Sequence, residues 1–388
     1  MISLLSKLFI KDKNNFTSPA VRNAYGVLCG AMGIFLNVVL AIMKLVAASL
    51  SGSISIAADA VNNLSDAGSS VVTMVGFRLA GQKPDNSHPF GHGRIEYISG
   101  LVVSMIIMLM GFELGKSSIS RISSGVVTEF SIITVVILAF SLPIKLYMYF
   151  YNKSVAKKIS SAAMSATAVD SLCDCISTSV VLICTVISKF TNLQLDGWCG
   201  IAVSLFIFYS GITAAKETIN PLLGTPPDKE FVDRIKNIVM SYDDISGVHD
   251  LVVHNYGPNI SMISLHAEVS QNVDILQIHD TIDNIEHHLS SELNCTAVIH
   301  MDPIATNDEV TVTTREKVAE LARALDGSIS IHDFRMVIGQ THTNLIFDMA
   351  IPYNFRLSDE EIKEEMSRLV KIISPDYRVV INIDNVYH

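Results

Sequence analysis

The chain has 388 residues, 49% of them apolar and 17% charged, with a formal net charge of -10. Mean hydropathy is +0.40, high for a soluble protein. These values exclude a disordered chain, a single soluble domain and a nucleic-acid binder working through a basic surface.

The average hides a split. Residues 1–223 hold 16 Lys/Arg against 11 Asp/Glu, whereas residues 224–388 hold 12 against 27 and ten of the 12 histidines. A hydrophobic, slightly basic body is joined to an acidic, His-bearing tail, which predicts a membrane domain with a soluble appendage. Six cysteines are present and none forms a C-x-x-C pair, so neither a disulfide scaffold nor a Cys-based zinc site is expected. The arm over residues 1–23 is polar and basic and lacks the apolar core of a signal peptide.

A membrane-crossing helix needs about 20 largely apolar residues. Six stretches qualify: Ala24–Leu50, Ile54–Ala80, Tyr97–Ile119, Phe130–Tyr151, Ala162–Phe190 and Gly197–Ile219. They make residues 24–223 an all-α six-span domain, with the first two spans joined as a hairpin through Ser51-Gly52-Ser53. Lys7, Lys11, Lys13, Arg22, Lys83, Arg94, Lys153, Lys157 and Lys158 flank one side; Arg121 and Lys189, with Lys116 near a helix end, flank the other. The excess predicts that both termini, and the acidic tail, are cytoplasmic.

Charged groups inside a span are costly and mark function by default. Span 2 contains Asp59, Asn62, Asn63 and Asp66; span 5 contains Asp170 and Asp174. Asn62/Asp66 and Asp170/Asp174 are i,i+4 pairs, so each pair shares one helix face. Apposed, the two faces make a four-point oxygen cage with three carboxylates, which could not all stay ionised without a compensating cation. A divalent metal or protons would compensate, so the cage suits exchange of one for the other. Asn and Ser also serve as helix–helix hydrogen-bonding residues, which fits Asn63 and Ser65. Asp59 lies one turn outward, as a vestibule group or a support for the site. No nucleophile–base set and no phosphate-binding glycine loop is present, so an enzyme is not expected, and neither is a prosthetic group.

The stretch Ser55–Ser70, the loop His88-Pro89-Phe90-Gly91-His92-Gly93-Arg94, the Asp170/Asp174 pair and the six-span layout resemble the cation diffusion facilitator transporters. The resemblance covers roughly residues 20–305. It implies a homodimer in the lipid bilayer that exports divalent metal by proton antiport, with Asn62, Asp66, Asp170 and Asp174 as the transport site. It also implies a second metal site on Asp85, His88 and His92, and an ion pair between Arg94 and Asp228 where the tail begins. Zinc-carrying members typically place a His in the tetrad, at the position of Asp170 here. An all-oxygen cage favours Mn²⁺, as in the manganese branch, ahead of Fe²⁺ and then Zn²⁺, Co²⁺ or Cd²⁺. A membrane metal sensor without flux is the competing reading. The cell membrane is the expected location.

The tail reads as helix, strand, strand, helix, strand over residues 224–305, an α+β order suggesting a small ferredoxin-like domain. The pattern then returns over 306–388. Val248-His249-Asp250-Leu251 recurs as Ile331-His332-Asp333-Phe334, and Ala297–Asp302 recurs as Val379–Asp384. Such self-similarity marks a duplicated unit. In the first copy, His249, His266, His279, His300 and Asp302 fall where similar proteins bind regulatory metal, and this nitrogen-rich set favours zinc-like ions. In the second copy only His332 and Asp384 match, so weak metal binding or none is expected there.

Overall fold

The computed structural model describes residues 2–16, 18–51, 54–124, 132–191, 196–258, 260–304, 308–339, 341–353 and 355–386. The chain divides into two units, Met1–Thr225 with Asn255–Ile260, and Pro226–His254 with Ser261–His388.

The first unit is helical. A short helix α1 (Ile2–Phe9) precedes six long ones: α2 (Pro19–Ser51), α3 (Ile54–Ala80), α4 (Ile95–Ser124), α5 (Ile132–Ile159), α6 (Ala162–Thr191) and α7 (Asp196–Leu223). The expected hinge residues Gly52 and Ser53, and the expected start of span 4 at Phe130, lie outside the described residues. Helices α2, α4, α5, α6 and α7 are long and apolar enough to cross a membrane. Helix α3 has the length, 27 residues, but its apolarity is diluted by Asp59, Asn62, Asn63 and Asp66. Ile56, Ala60, Ala67 and Phe77 bury in the bundle together with Asn63, Asp66 and Thr73, while Val61 and Leu64 are exposed.

Small residues set the helix spacing. A Cβ added at Gly30 of α2 would meet the Met74 Cβ of α3 at 2.7 Å. Without a hydrophobic drive between helices in lipid, such close backbone approach is what holds α2 against α3. Arg22 closes one end of the bundle. Its Nε donates to the Ile159 carbonyl at 2.7 Å and its guanidinium pairs with Glu96 at 3.3 Å, both side chains buried. The α1 helix was not expected in the polar arm; Ile2 and Ile10 bury beside Val21 and Tyr25.

The second unit repeats one order twice. The first copy is α8 (Lys229–Val239), β1 (Ile245–Gly257), β2 (Ile260–Ser270), α9 (Ile275–Leu293) and β3 (Cys295–Ile304). The second is α10 (Glu309–Leu325), β4 (Ser330–Ile338), β5 (Thr343–Pro352), α11 (Asp359–Ile373) and β6 (Tyr377–Val386). Each copy has a three-stranded sheet, ordered β1-β2-β3 and β4-β5-β6. The last two strands of each pair in parallel, the arrangement a crossover helix permits. Asp274 caps α9 through the N–H groups of Leu276 and Gln277, and Ser358 with Glu361 forms a capping box on α11. Each copy has its own core, one around Ile235, Leu265 and Leu289, the other around Phe334, Phe347 and Met366.

Candidate functional site

Two polar stripes meet inside the bundle. On α3, Asp59, Asn62, Asp66, Ser69 and Thr73 recur at helical spacing; on α6, Thr167, Asp170, Asp174 and Ser177 do the same. The stripes touch at one level, where the Thr73 and Thr167 hydroxyls lie 2.9 Å apart and buried. From there toward the end of the bundle that carries Arg121 they part. A cavity of about 490 Å³ opens, lined by Asp59, Asn62, Glu113, Arg121, Asp170 and Asp174 among others. Asn62, Asp170 and Asp174 thus border one space, while Asp66 is 2% exposed and sits behind it.

The residue that sequence reasoning missed is Lys145, on α5 two positions after Pro143. Its ammonium donates to Asp66 Oδ2 and to Asp174 Oδ2, each at 2.6 Å. All three side chains are at most 9% exposed. A lysine between two carboxylates supplies the cation that the cage requires. Among the described residues, the three carboxylates do not converge into one ligand-sized group; the ammonium stands between two of them. The signal was available, because Lys145 is itself a charge within a span and the same default applied to it as to the aspartates. Lys44 was passed over in the same way. Buried on α2, it pairs with Asp59 at 2.7 Å. Asp59 therefore both borders the cavity and neutralises a second intramembrane lysine.

In the loop between α3 and α4, Asp85, His88 and His92 come together. Asp85 Oδ1 lies 3.5 Å from His88 Nδ1, Asp85 Oδ2 lies 3.4 Å from His92 Nε2, and the two rings are 4.5 Å apart. The backbone N–H groups of His88 and Ser87 donate to Asp85 at 2.8 Å each and hold its carboxyl below the usual range. The buried His92 Nδ1 has no hydrogen-bond partner. Arg94 finds its partners within its own unit. Its guanidinium donates to the Asn255 carbonyl at 2.8 and 3.3 Å and lies over the Tyr256 ring. Asp228 caps the start of α8 with no side-chain hydrogen bond to it.

In the tail's first copy, His266 Nδ1 lies 2.9 Å and His249 Nε2 lies 3.2 Å from Asp302 Oδ2. His249, His266 and Asp302 form a ligand-sized group. His300 stands at its rim, Nε2 3.4 Å from Asp302 Oδ1 and largely exposed. His279 is exposed on α9 and outside this group. Asp250, left aside in the sequence reading, is held far below the usual carboxylate range by the His249 and His332 imidazoles beside it.

Comparison with known proteins decides the family. Residues 31–223 match the profile described as the cation efflux transmembrane domain, and residues 227–304 match the cytoplasmic domain of cation efflux proteins. An uncharacterized transporter of Methanocaldococcus jannaschii is 32% identical over 69% of this chain and 94% of its own length. The chain belongs to the cation efflux, or cation diffusion facilitator, family. The manganese efflux system protein MneS of Bacillus subtilis is 28% identical over 69% of this chain and 91% of its own. The cation-efflux pump FieF of Escherichia coli is 26% identical over 68% and 88%. This chain is thus an integral membrane protein of a family that moves divalent cations, and its second tail repeat lies beyond both matched profiles.

Proposed function

We propose that this protein exports Mn²⁺ from the cytoplasm in exchange for protons, as a homodimer in the cell membrane with both termini cytoplasmic. The observation that carries the reading is Lys145 lodged between Asp66 and Asp174 beside a cavity bordered by Asn62 and Asp170. The ammonium occupies two of the four oxygen positions that a metal would need. Cargo and ammonium therefore compete for the same carboxylates. A divalent ion that enters must displace the Lys145 charge, by moving the side chain or by stripping its proton, because like charges this close in a dry site repel strongly. Either route opposes cargo to a proton-bearing group, without a histidine in the spans. Coupling then belongs to the Lys145–Asp66–Asp174 group rather than to the carboxylates alone.

The donor set supports Mn²⁺. Asn62, Asp66, Asp170 and Asp174 offer only oxygen, and Mn²⁺ is held poorly by sites that better nitrogen or sulfur binders would fill. The similarity to a protein named for manganese efflux points the same way. The Lys/Arg excess near the termini supports reading the closed Thr73–Thr167 level as cytoplasmic and the cavity as outward. The arrangement then corresponds to an outward-facing state, in which metal leaves and protons enter. The loop group Asp85–His88–His92 and the first-copy group around Asp302 are accessory metal sites on this reading. The nitrogen-rich tail group is the observation that favours Fe²⁺ or Zn²⁺, Co²⁺ and Cd²⁺ as cargo instead.

Proteoliposomes loaded with a pH dye decide the matter. Mn²⁺ uptake into vesicles with outward-oriented tails should be accompanied by proton release from them and lost in Asp66→Ala and Asp170→Ala. Preferred uptake of Zn²⁺ over Mn²⁺ would overturn the cargo, and binding without flux would make the protein a sensor.

A further inference from the structure

The second tail repeat exchanges two of the first repeat's imidazoles for oxygen groups. Asp348 stands where His266 stands in the first copy, and Asn382 where His300 stands; His332 and Asp384 keep the positions of His249 and Asp302. The strand register then lines up the new set. His332 faces Asp348 across β4 and β5, and Asp348 faces Asn382 across β5 and β6. His332 Nε2 lies 3.2 Å from Asp384 Oδ2.

A fourth ligand comes from the other repeat. Asp250 Oδ1 lies 3.3 Å from His332 Nε2, while Asp250 Oδ2 lies 3.4 Å from His249 Nδ1 and 3.8 Å from His266 Nδ1. One carboxylate thus faces both groups. The His249 and His332 rings are 4.3 Å apart. Ligand atoms of Asp250, His332, Asp348 and Asp384 all lie within 4.8 Å of one another. Asp250 sits at φ 51, as does its counterpart Asp333 at φ 49, so the left-handed turn is a feature of the repeat that Asp tolerates.

Several atoms of these groups are buried without being satisfied. His332 is 7% exposed, and its Nε2 makes no aligned hydrogen bond despite two carboxylate oxygens nearby. Asp384 Oδ2 and both ring nitrogens of His249 are in the same condition. Buried polar atoms are normally paired, and His332 Nε2 and Asp384 Oδ2, 3.2 Å apart, mark a missing partner between them. A divalent cation there would pair both.

We infer that the two repeats of one chain jointly form a second divalent-cation centre on Asp250, His332, Asp348 and Asp384, with the Asp250 carboxylate bridging it to the His249–His266–Asp302 group. Three carboxylates and one imidazole suit Mn²⁺ or Fe²⁺, whereas the neighbouring group with two imidazoles suits zinc-like ions better. The duplication thereby gives the tail a centre whose donors match the oxygen-rich transport tetrad. The choice of Mn²⁺ as its ion rests on the proposed cargo; the four-residue site does not. A metal held there ties β1 of the first repeat to β4, β5 and β6 of the second, so metal level is read within a single chain.

The test uses the full chain in detergent, in an Asp66→Ala/Asp170→Ala background that removes the transport site. After chelation, Mn²⁺ is added and bound metal is counted by equilibrium dialysis. Asp348→Asn, nearly isosteric, should lower the count by one Mn²⁺ per chain, and His332→Gln should do the same. Mn²⁺ should also raise the unfolding temperature of the background chain and fail to raise that of either variant. An unchanged Mn²⁺ count in Asp348→Asn overturns the centre, whatever His332→Gln does to folding. Loss of one Zn²⁺ with no loss of Mn²⁺ overturns its assignment to a hard ion. Flux is measured separately on the chain with its tetrad intact. A chain that binds Mn²⁺ in the tail but moves only Zn²⁺ overturns the cargo and leaves this centre standing.

Discussion

Lys145 on α5 donates to Asp174 on α6 at 2.6 Å, in the interior of a membrane bundle. The same nitrogen reaches Asp66 on α3, so one ammonium ties three helices at the proposed cargo site. This arrangement predicts that Lys145→Met separates binding from transport. Without the ammonium, the site carries one more net negative charge and no built-in competitor. Apparent Mn²⁺ affinity should rise at least about tenfold, which corresponds to about 1.4 kcal/mol, while turnover falls because release is no longer assisted. Calorimetry on the purified chain and flux in liposomes read the two quantities. Equal affinity in variant and parent would show that Lys145 only holds the helices together.

Asp170 is the member of the proposed tetrad at which donor chemistry is best tested. It borders the cavity, and no described lysine or arginine pairs with it. Asp170→His places one imidazole among three oxygen donors and should move preference toward Zn²⁺, which binds nitrogen far better than Mn²⁺ does. Competition of the two ions for uptake is the readout, and a shift of at least about tenfold in the Zn²⁺/Mn²⁺ ratio is expected. An unchanged ratio would place selectivity outside the tetrad.

Gly30 tests the spacing that positions Asp66. A Cβ there would meet the Met74 Cβ at 2.7 Å, with the Met74 backbone at 3.0 Å. Backbone cannot yield as a flexible side chain would, so Gly30→Val should push α3 off α2. Overpacking of this kind costs about 1–3 kcal/mol. The expected outcome is a lower unfolding temperature in detergent together with weaker Mn²⁺ binding. Gly68, which has open space around its added Cβ, is the control: Gly68→Ala should leave both unchanged.

The sequence made the six long helices legible because apolar length is a direct consequence of bilayer thickness. The end of α3 at Ala80 was legible because Gly81 follows it. The doubled tail was legible from repeated strands. Lys145 and Lys44 are charges in spans, but their roles depend on carboxylates of other helices, which spacing along their own helices does not show. Asp250 was missed for a different reason. It lies between His249 of its own repeat and His332 of the other, and that nearness does not follow from spacing along the chain. In the second copy His332 and Asp384 keep the first copy's positions, and the Asp250 carboxylate beside His332 belongs to the other copy.

The pairing of Lys44 with Asp59 separates a structural from a functional share in the vestibule. Lys44 is buried, its side chain 3% exposed, and Asp59 is one third exposed to the cavity. Asp59→Asn strands a buried ammonium, and breaking a buried pair in this way costs about 3–5 kcal/mol; the partial exposure of Asp59 should bring the loss to the lower end. Lys44→Met in the same chain removes the stranded charge, so the double variant should regain most of the lost thermal stability. Flux should not follow stability. If Asp59 also draws cations toward Asn62 and Asp170, the stabilised double variant will still show a raised KM for Mn²⁺ uptake, and the defect will shrink at high salt as the field of a cavity carboxylate is screened. Full recovery of both stability and KM in the double variant would reduce Asp59 to the counter-ion of Lys44.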